Sequence, residues 1–217
     1  MAWETPASLT PSGHGYSYTS IAIDSDTGIH ISYYDDWPSY EAVKHAYKPY
    51  NGAWSNESIA LLGATNYRCP NSIAIDRDNW IYVCFDHKME APTPHSSLKF
   101  TYKQPGMGWS TPEVVDNTAT TVGDFCSMKV DNSYGIHISY YDESNTQLKY
   151  AYKAKPTGGS SWNRYVVEYY SLHDIGKYTS IALDSGYGVH ISYYEATSGY
   201  QDLRHAYTWT TNSPIDS

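Results

Sequence analysis

The sequence predicts an all-β fold, a four-bladed β-propeller with four antiparallel strands per blade, on three observations. A strand-sized motif recurs four times, as Ser20-Ile21-Ala22-Ile23-Asp24, Ser72-Ile73-Ala74-Ile75-Asp76, Ser127-Met128-Lys129-Val130-Asp131 and Ser180-Ile181-Ala182-Leu183-Asp184, at spacings of 52, 55 and 53 residues. Tyrosine is abundant, 24 against three phenylalanines, and its ring packs on a pleated surface while its hydroxyl seeks a polar partner. The third observation lies at the ends: the last repeat lacks a strand that the first residues supply.

Each motif is the first strand of a blade, and its aspartate opens a turn rich in Asp, Ser, Asn and Gly, where a carboxylate bonds backbone N–H groups. The second strand follows as Ile29 to Asp35, Trp80 to Asp86, Ile136 to Asp142 and Val189 to Glu195. Aligned on the acid that ends this strand, the second copy is one residue shorter in the turn. It then has Ile81 where the others have His30, His137 and His190, and Cys84 where they have Tyr33, Tyr140 and Tyr193. The third strand is Val43 to Lys48, Leu98 to Lys103, Leu148 to Lys153 and Leu203 to Thr208, and the fourth opens on Trp54, Trp109 and Trp162. Tryptophan recurring at that place points to packing between blades.

Trp3-Glu4-Thr5-Pro6-Ala7-Ser8-Leu9 matches Trp109 to Val115, so the N-terminal strand is expected to complete the last blade and close the ring. The blades then span about 16–61, 68–116, 123–169 and 176–210 plus 3–9, within a single domain. A second copy sharing one larger ring is the alternative arrangement, and monomer or homo-oligomer is left open.

The repeat, read as Ser-Ile-Ala-Ile-Asp, a Gly turn, His-Ile-Ser-Tyr-Tyr-Asp and Leu-Lys-Tyr-Ala-Tyr, resembles the Tyr-rich propeller repeats of bacterial and archaeal surface proteins. More loosely it is similar to sialidase-type and lectin-type propellers. The resemblance implies the fold and an extracellular or cell-surface setting, not an activity, because propellers host binders, enzymes and scaffolds alike. Ser25-Asp26-Thr27-Gly28 lacks the spacing and the tryptophan of a sialidase Asp-box.

A net charge of -9 argues against nucleic acid, which needs a basic surface, and no apolar run is long enough for insertion into a membrane. Cys69, Cys84 and Cys126 fit no zinc or redox spacing and read as free, partly buried thiols. No cofactor and no metal site are expected. His30, His137 and His190 read as packing between blades, since a zinc site needs three or four convergent ligands.

The acids Asp35, Asp86, Asp142 and Glu195 precede the bases Lys44, Lys99, Lys149 and Arg204, so cross-strand ion pairs are expected. The other reading places these acids, with Tyr34, Phe85, Tyr141 and Tyr194, around the channel mouth as an aromatic and acidic rim for a glycan. Trp37 and Tyr40, in a loop without counterpart, join that rim as stacking anchors. No nucleophile and base converge once, which favours a glycan-binding or protein-binding propeller over catalysis. A structural or assembly unit is one alternative. The other is a polysaccharide lyase or glycoside hydrolase with a degenerate site in blade 2, where Asp86-His87-Lys88 and His95 break the pattern.

Overall fold

A computed structural model describes residues 8–10, 16–36, 41–63, 69–89, 95–157, 159–186 and 188–208. These form strands and turns with no helix among the described residues. β1 (Tyr16–Ile23), β2 (Ile29–Asp35), β3 (Glu41–Lys48) and β4 (Ser55–Gly63) make the first antiparallel sheet. β5 (Asn71–Ile75), β6 (Ile81–Met89), β7 (His95–Lys103) and β8 (Glu113–Asp116) make the second. β9 (Val122–Val130), β10 (Ile136–Asp142), β11 (Gln147–Lys153) and β12 (Asn163–Glu168) make the third, and β13 (Ile175–Leu183), β14 (Val189–Glu195) and β15 (Leu203–Thr208) the fourth. In every sheet the strands lie in chain order, which is a propeller-like arrangement of four blades. Of segment 3–9, predicted to complete the last blade, only Ser8 and Leu9 fall within the described residues, and closure of the ring is not shown.

The outer strands begin after their tryptophans. β8 is the shortest because Pro112 has no N–H to give a ladder, and Trp109 meets Lys103 only as an isolated bridge.

The blades stack by one repeated joint. The Oγ of Ser20 accepts the N–H of Ile73 at 3.1 Å, Ser72 that of Met128 at 3.1 Å, and Ser127 that of Ile181 at 3.2 Å. Each bond sets an apolar residue of one blade against its predecessor, and Ile73, Met128 and Ile181 are accordingly buried. Tyr82, Phe100, Met128, Ile138 and Tyr140 fill the space between blades 2 and 3. Trp109 packs edge-on to His45 across joint 1–2, and Trp162 packs edge-on to Phe100 across joint 2–3.

The register corrects the alignment of the second copy. Ser20 pairs with Ser32, and Ser72 with Cys84, so Cys84 takes the place of Ser32, and Tyr82 that of His30. The turn has its full length and no residue is missing from the strand; the acid stands one place earlier, with His87 at its end position. Phe85 therefore stands with Tyr33, Asp86 with Tyr34, and His87 with Asp35. Tyr82, not Ile81, replaces the histidine, and it keeps the histidine's bond: its hydroxyl donates to Asp76 at 2.6 Å, where His30, His137 and His190 meet Asp24, Asp131 and Asp184 at 2.9, 3.1 and 3.1 Å. The other oxygen of each aspartate accepts two N–H groups of its own turn, as Asp24 does from Asp26 and Gly28. These carboxylates are consumed by the fold, and their histidines with them.

Candidate functional site

The predicted rim lies beneath the surface. Tyr34, Asp35, Phe85, Asp86, Tyr141, Asp142 and Glu195 are all buried, and Tyr194 is half-buried. Trp37 and Tyr40 lie outside the described residues. The expected ion pairs form in three blades: Lys44 to Asp35 at 2.6 Å, Lys149 to Asp142 at 3.7 Å, and Arg204 to Glu195 at 2.5 Å. The last two bases also reach back one blade, Lys149 to Asp116 at 2.5 Å and Arg204 to Glu168 at 2.5 Å, where the hydroxyls of Tyr140 and Tyr193 donate to the same carboxylates.

Blade 2 departs from this at three positions together. Phe85 has no hydroxyl, His87 replaces the acid at the strand end, and Ala60 of blade 1 stands where Asp116 and Glu168 stand in blades 2 and 3. Lys99 consequently has no carboxylate partner among the described residues, and burial lowers its pKa. The expected pair of Asp86 with Lys99 is thus not made. Asp86 is fully buried, neither of its oxygens has a hydrogen bond, and the nearest ammonium is Lys88 at 3.8 Å. Burial, reinforced by the charge of Asp124, pushes its pKa well above the usual carboxylate range. The three thiols are free and buried, as expected.

Sequence reasoning missed two features. Tyr18, Phe125 and Tyr178 have φ of 52°, 52° and 55°, a left-handed backbone that bulky side chains rarely adopt, and each sits at a bulge of its inner strand. Phe125 and Tyr178 lie tilted against each other across blades at 4.4 Å between ring centroids, and Tyr178 lies 6.3 Å from Tyr194. No spacing in the sequence signals that turn of the backbone.

The second feature is a cleft of about 650 Å³ between blades 1 and 2, lined by Asp26, Tyr47, Asn56, Asn79, Gln104 and Met107. Its wall is a chain of hydrogen bonds: Asp24 to His30 at 2.9 Å, His30 to His45 at 3.0 Å, His45 to Glu57 at 2.9 Å, and Lys103 to both oxygens of Glu57 at 2.6 and 2.8 Å. The two imidazoles are stacked 5.1 Å apart, with Tyr47 against His30 at 4.5 Å. Three bonds between two carboxylates and two imidazoles require three ring protons, one more than two neutral rings carry. All three bonds are made at once only when one of the two rings is protonated. Burial holds His30 below its ordinary pKa, opposed by the bond to Asp24. Burial would raise Asp24, but the bonds from His30 and the N–H of Gly28 outweigh it and hold the carboxyl low.

Joint 2–3 shows what is particular here. There Glu113 accepts Lys153 at 2.5 Å and the indole N–H of Trp162 at 3.0 Å, whereas at joint 1–2 His45 takes that place on Glu57, and the Nε1 of Trp109 is buried without a hydrogen-bond partner. The N–H of His45, set against burial and joined by Lys103, holds Glu57 at about 2. A depressed carboxyl stabilises the fold above its unfolded pKa and loses that contribution as pH falls through the folded value. The gap in melting temperature between the wild type and Glu57→Gln is accordingly expected to be constant above the ordinary value of 4.5 and to narrow towards pH 2. A gap that stays constant in thermal melts across that interval counts against the bond.

Comparison with known proteins finds fold relatives only. No family model matches the chain, and no curated protein matches it. Among solved structures, a protein of unknown function from Dyadobacter fermentans superposes with a TM-score of 0.64 at 9% identity, over 90% of this chain and 66% of that one. The leech intramolecular trans-sialidase gives 0.57 at 12% identity, over 87% and 30%. The α-L-arabinofuranosidase of Podospora anserina, solved with cellotriose, gives 0.55 at 13% identity, over 92% and 66%. The chain thus spans about two-thirds or less of these neighbours' length, and what it shares with them is an all-β, propeller-like fold.

Proposed function

We propose that the protein is a non-catalytic propeller that binds carbohydrate, with the cell surface or the extracellular space as the place where it meets its ligand. The observation that carries this is the cleft between blades 1 and 2. Its volume of about 650 Å³ is that of a small-molecule site, and it combines an aromatic face, Tyr47, with amide and carboxylate groups, Asn56, Asn79, Gln104 and Asp26, which suit sugar hydroxyls. The names of two neighbours, a trans-sialidase and an arabinofuranosidase, are in keeping with a sugar ligand. A second contact area is the rim at Tyr178 and Tyr194, which continues through Phe125 to Tyr141. Binding without turnover fits the chemistry, since Glu57 is tied to His45 and Lys103 and Asp86 is shut away from solvent.

The test is a panel of oligosaccharides screened by calorimetry, with Tyr47→Ala and Asn56→Ala as variants. A hit is expected to lose about tenfold in affinity, or about 1.4 kcal/mol, in each variant. No binding across the panel, or binding that neither variant weakens, argues against the cleft. Release of a reducing end in the same mixtures argues for an enzyme.

A further inference from the structure

Beside the bond from serine to backbone N–H, the joints between described blades carry a second contact, which joins two side chains. At joint 1–2 the hydroxyl of Ser32 donates to Oδ1 of Asn71 at 2.6 Å, and at joint 3–4 the hydroxyls of Ser139 and Thr179 meet at 2.8 Å. The register fixes which residues stand there at joint 2–3. Ser32, Cys84 and Ser139 pair with Ser20, Ser72 and Ser127, and Asn71, Cys126 and Thr179 each lie two residues before the N–H that bonds those serines. Both partners at the middle joint are therefore cysteines.

Their surroundings match those of Ser139 and Thr179. Oγ1 of Thr179 reaches the carbonyls of Phe125 at 2.8 Å and Ser139 at 3.3 Å. Sγ of Cys126 approaches the corresponding carbonyls of Pro70 at 3.6 Å and Cys84 at 3.7 Å, the larger sulfur standing further off. Its third contact is the thiol of Cys84, and that side-chain bond, ahead of burial, pushes the Cys126 thiol well above its ordinary pKa. Cys69 is engaged elsewhere, its thiol donating to the carbonyl of Asp86 at 2.9 Å. Side chains whose first atoms beyond Cβ touch bring the β-carbons close to the ~3.5–4.5 Å that a disulfide spans.

We propose that Cys84 and Cys126 form a disulfide that staples β6 of blade 2 to β9 of blade 3 when the chain folds in the presence of a small-molecule disulfide. One cysteine thiolate attacks a sulfur of that reagent and expels a thiolate, leaving a mixed disulfide. The other cysteine thiolate then attacks the protein sulfur of the mixed disulfide and expels the remaining half. Two protein thiols are oxidised, one disulfide is reduced to two thiols, and the two protein protons pass to the leaving thiolates. With Cys84 and Cys126 only 0% and 7% exposed, the finished fold excludes the reagent, so the bond is made during folding and is afterwards shielded from reduction. It ties together residues 42 apart in the chain.

The test refolds the denatured, reduced chain in a buffer of reduced and oxidised glutathione, with refolding in dithiothreitol as the reference. In the glutathione buffer the intact mass is expected to fall by about 2 Da, two hydrogens lost. Peptide mapping is expected to show Cys84 joined to Cys126, with Cys69 open to alkylation after denaturation. The melting temperature is expected to exceed the reference by roughly 5–15 °C, from the loop closed in the unfolded chain. Cys84→Ser combined with Cys126→Thr rebuilds the pair of joint 3–4 and is expected to melt at the same temperature from either buffer. Three thiols that all alkylate after refolding with glutathione overturn the proposal. So does a disulfide that includes Cys69 or links two chains, or a Cys84 to Cys126 bond in a chain that melts no higher than the reduced one. None of these readouts involves sugar, so they stand apart from the oligosaccharide panel.

Discussion

Gly176→Ala is expected to lower the melting temperature by roughly 5–15 °C, from a cost of about 2–5 kcal/mol spread over a chain of this size. Gly176 has φ of +111°, and a Cβ there stands 2.7 Å from the Cα of Leu148 and 2.9 Å from its backbone nitrogen. The backbones of blades 3 and 4 touch at this point, and the Ser127 to Ile181 bond also holds β13 against blade 3. Strain from the left-handed backbone adds to overpacking, and both act in the same direction. Gly106→Ala is the control: its φ is +74°, nothing lies within 4 Å, and a loss of about 1 kcal/mol is expected from backbone strain alone. Equal melting temperatures for the two variants in calorimetry contradict the close approach of the blades.

Asp86→Asn is expected to act in the opposite direction and stabilise the protein near neutral pH, by about 1.4 kcal/mol for each pH unit above the unfolded carboxyl's pKa over which the folded one keeps its proton, because the amide is neutral without one. Asp86 is fully buried without a hydrogen bond, and its carboxyl holds its proton far above the range of an exposed one. The sign follows from linkage. A raised pKa costs nothing below the unfolded value of about 4, and the cost grows as pH rises towards the folded value, because only the unfolded chain gives up its proton. The advantage of the variant is thus expected to be absent near pH 3 and to widen through neutrality in paired melts. An advantage independent of pH points to packing instead of the proton.

The strands, their order and the turn aspartates were legible in the sequence because each repeats at a spacing in the low fifties and each obeys a local rule. The second copy shows where that reading fails. Aligning on Asp86 creates an apparent deletion in the turn, a natural choice when acid ends three neighbouring strands, but the sheet keeps Tyr82 opposite Ala74, where its hydroxyl replaces an imidazole on Asp76. A tyrosine and a histidine at one position look unrelated until the shared acceptor is seen. The cleft was invisible for a different reason. His30 and His45 lie on adjacent strands, but Lys103 reaches Glu57 and Trp109 reaches His45 only through the stacking of blade 2 on blade 1, contacts across more than 40 residues that no local pattern encodes. The pairs of acid and base were legible in blades 1, 3 and 4, where Lys44, Lys149 and Arg204 meet the acids that the repeat sets opposite them, and not in blade 2, where the acid stands one place earlier.

The bond from each serine hydroxyl to the next backbone N–H has a consequence for how such a chain can lengthen. The donor is main chain, and the acceptor is the first residue of the motif that opens every copy, so the contact is indifferent to which copy stands on either side. Duplication of one whole unit inserts a segment that already fits both neighbours, whereas a duplication out of phase by part of a unit fits neither. The gene can therefore grow or shrink in whole steps of about 53 residues and in no smaller step, and variation in ligand preference is left to the loops.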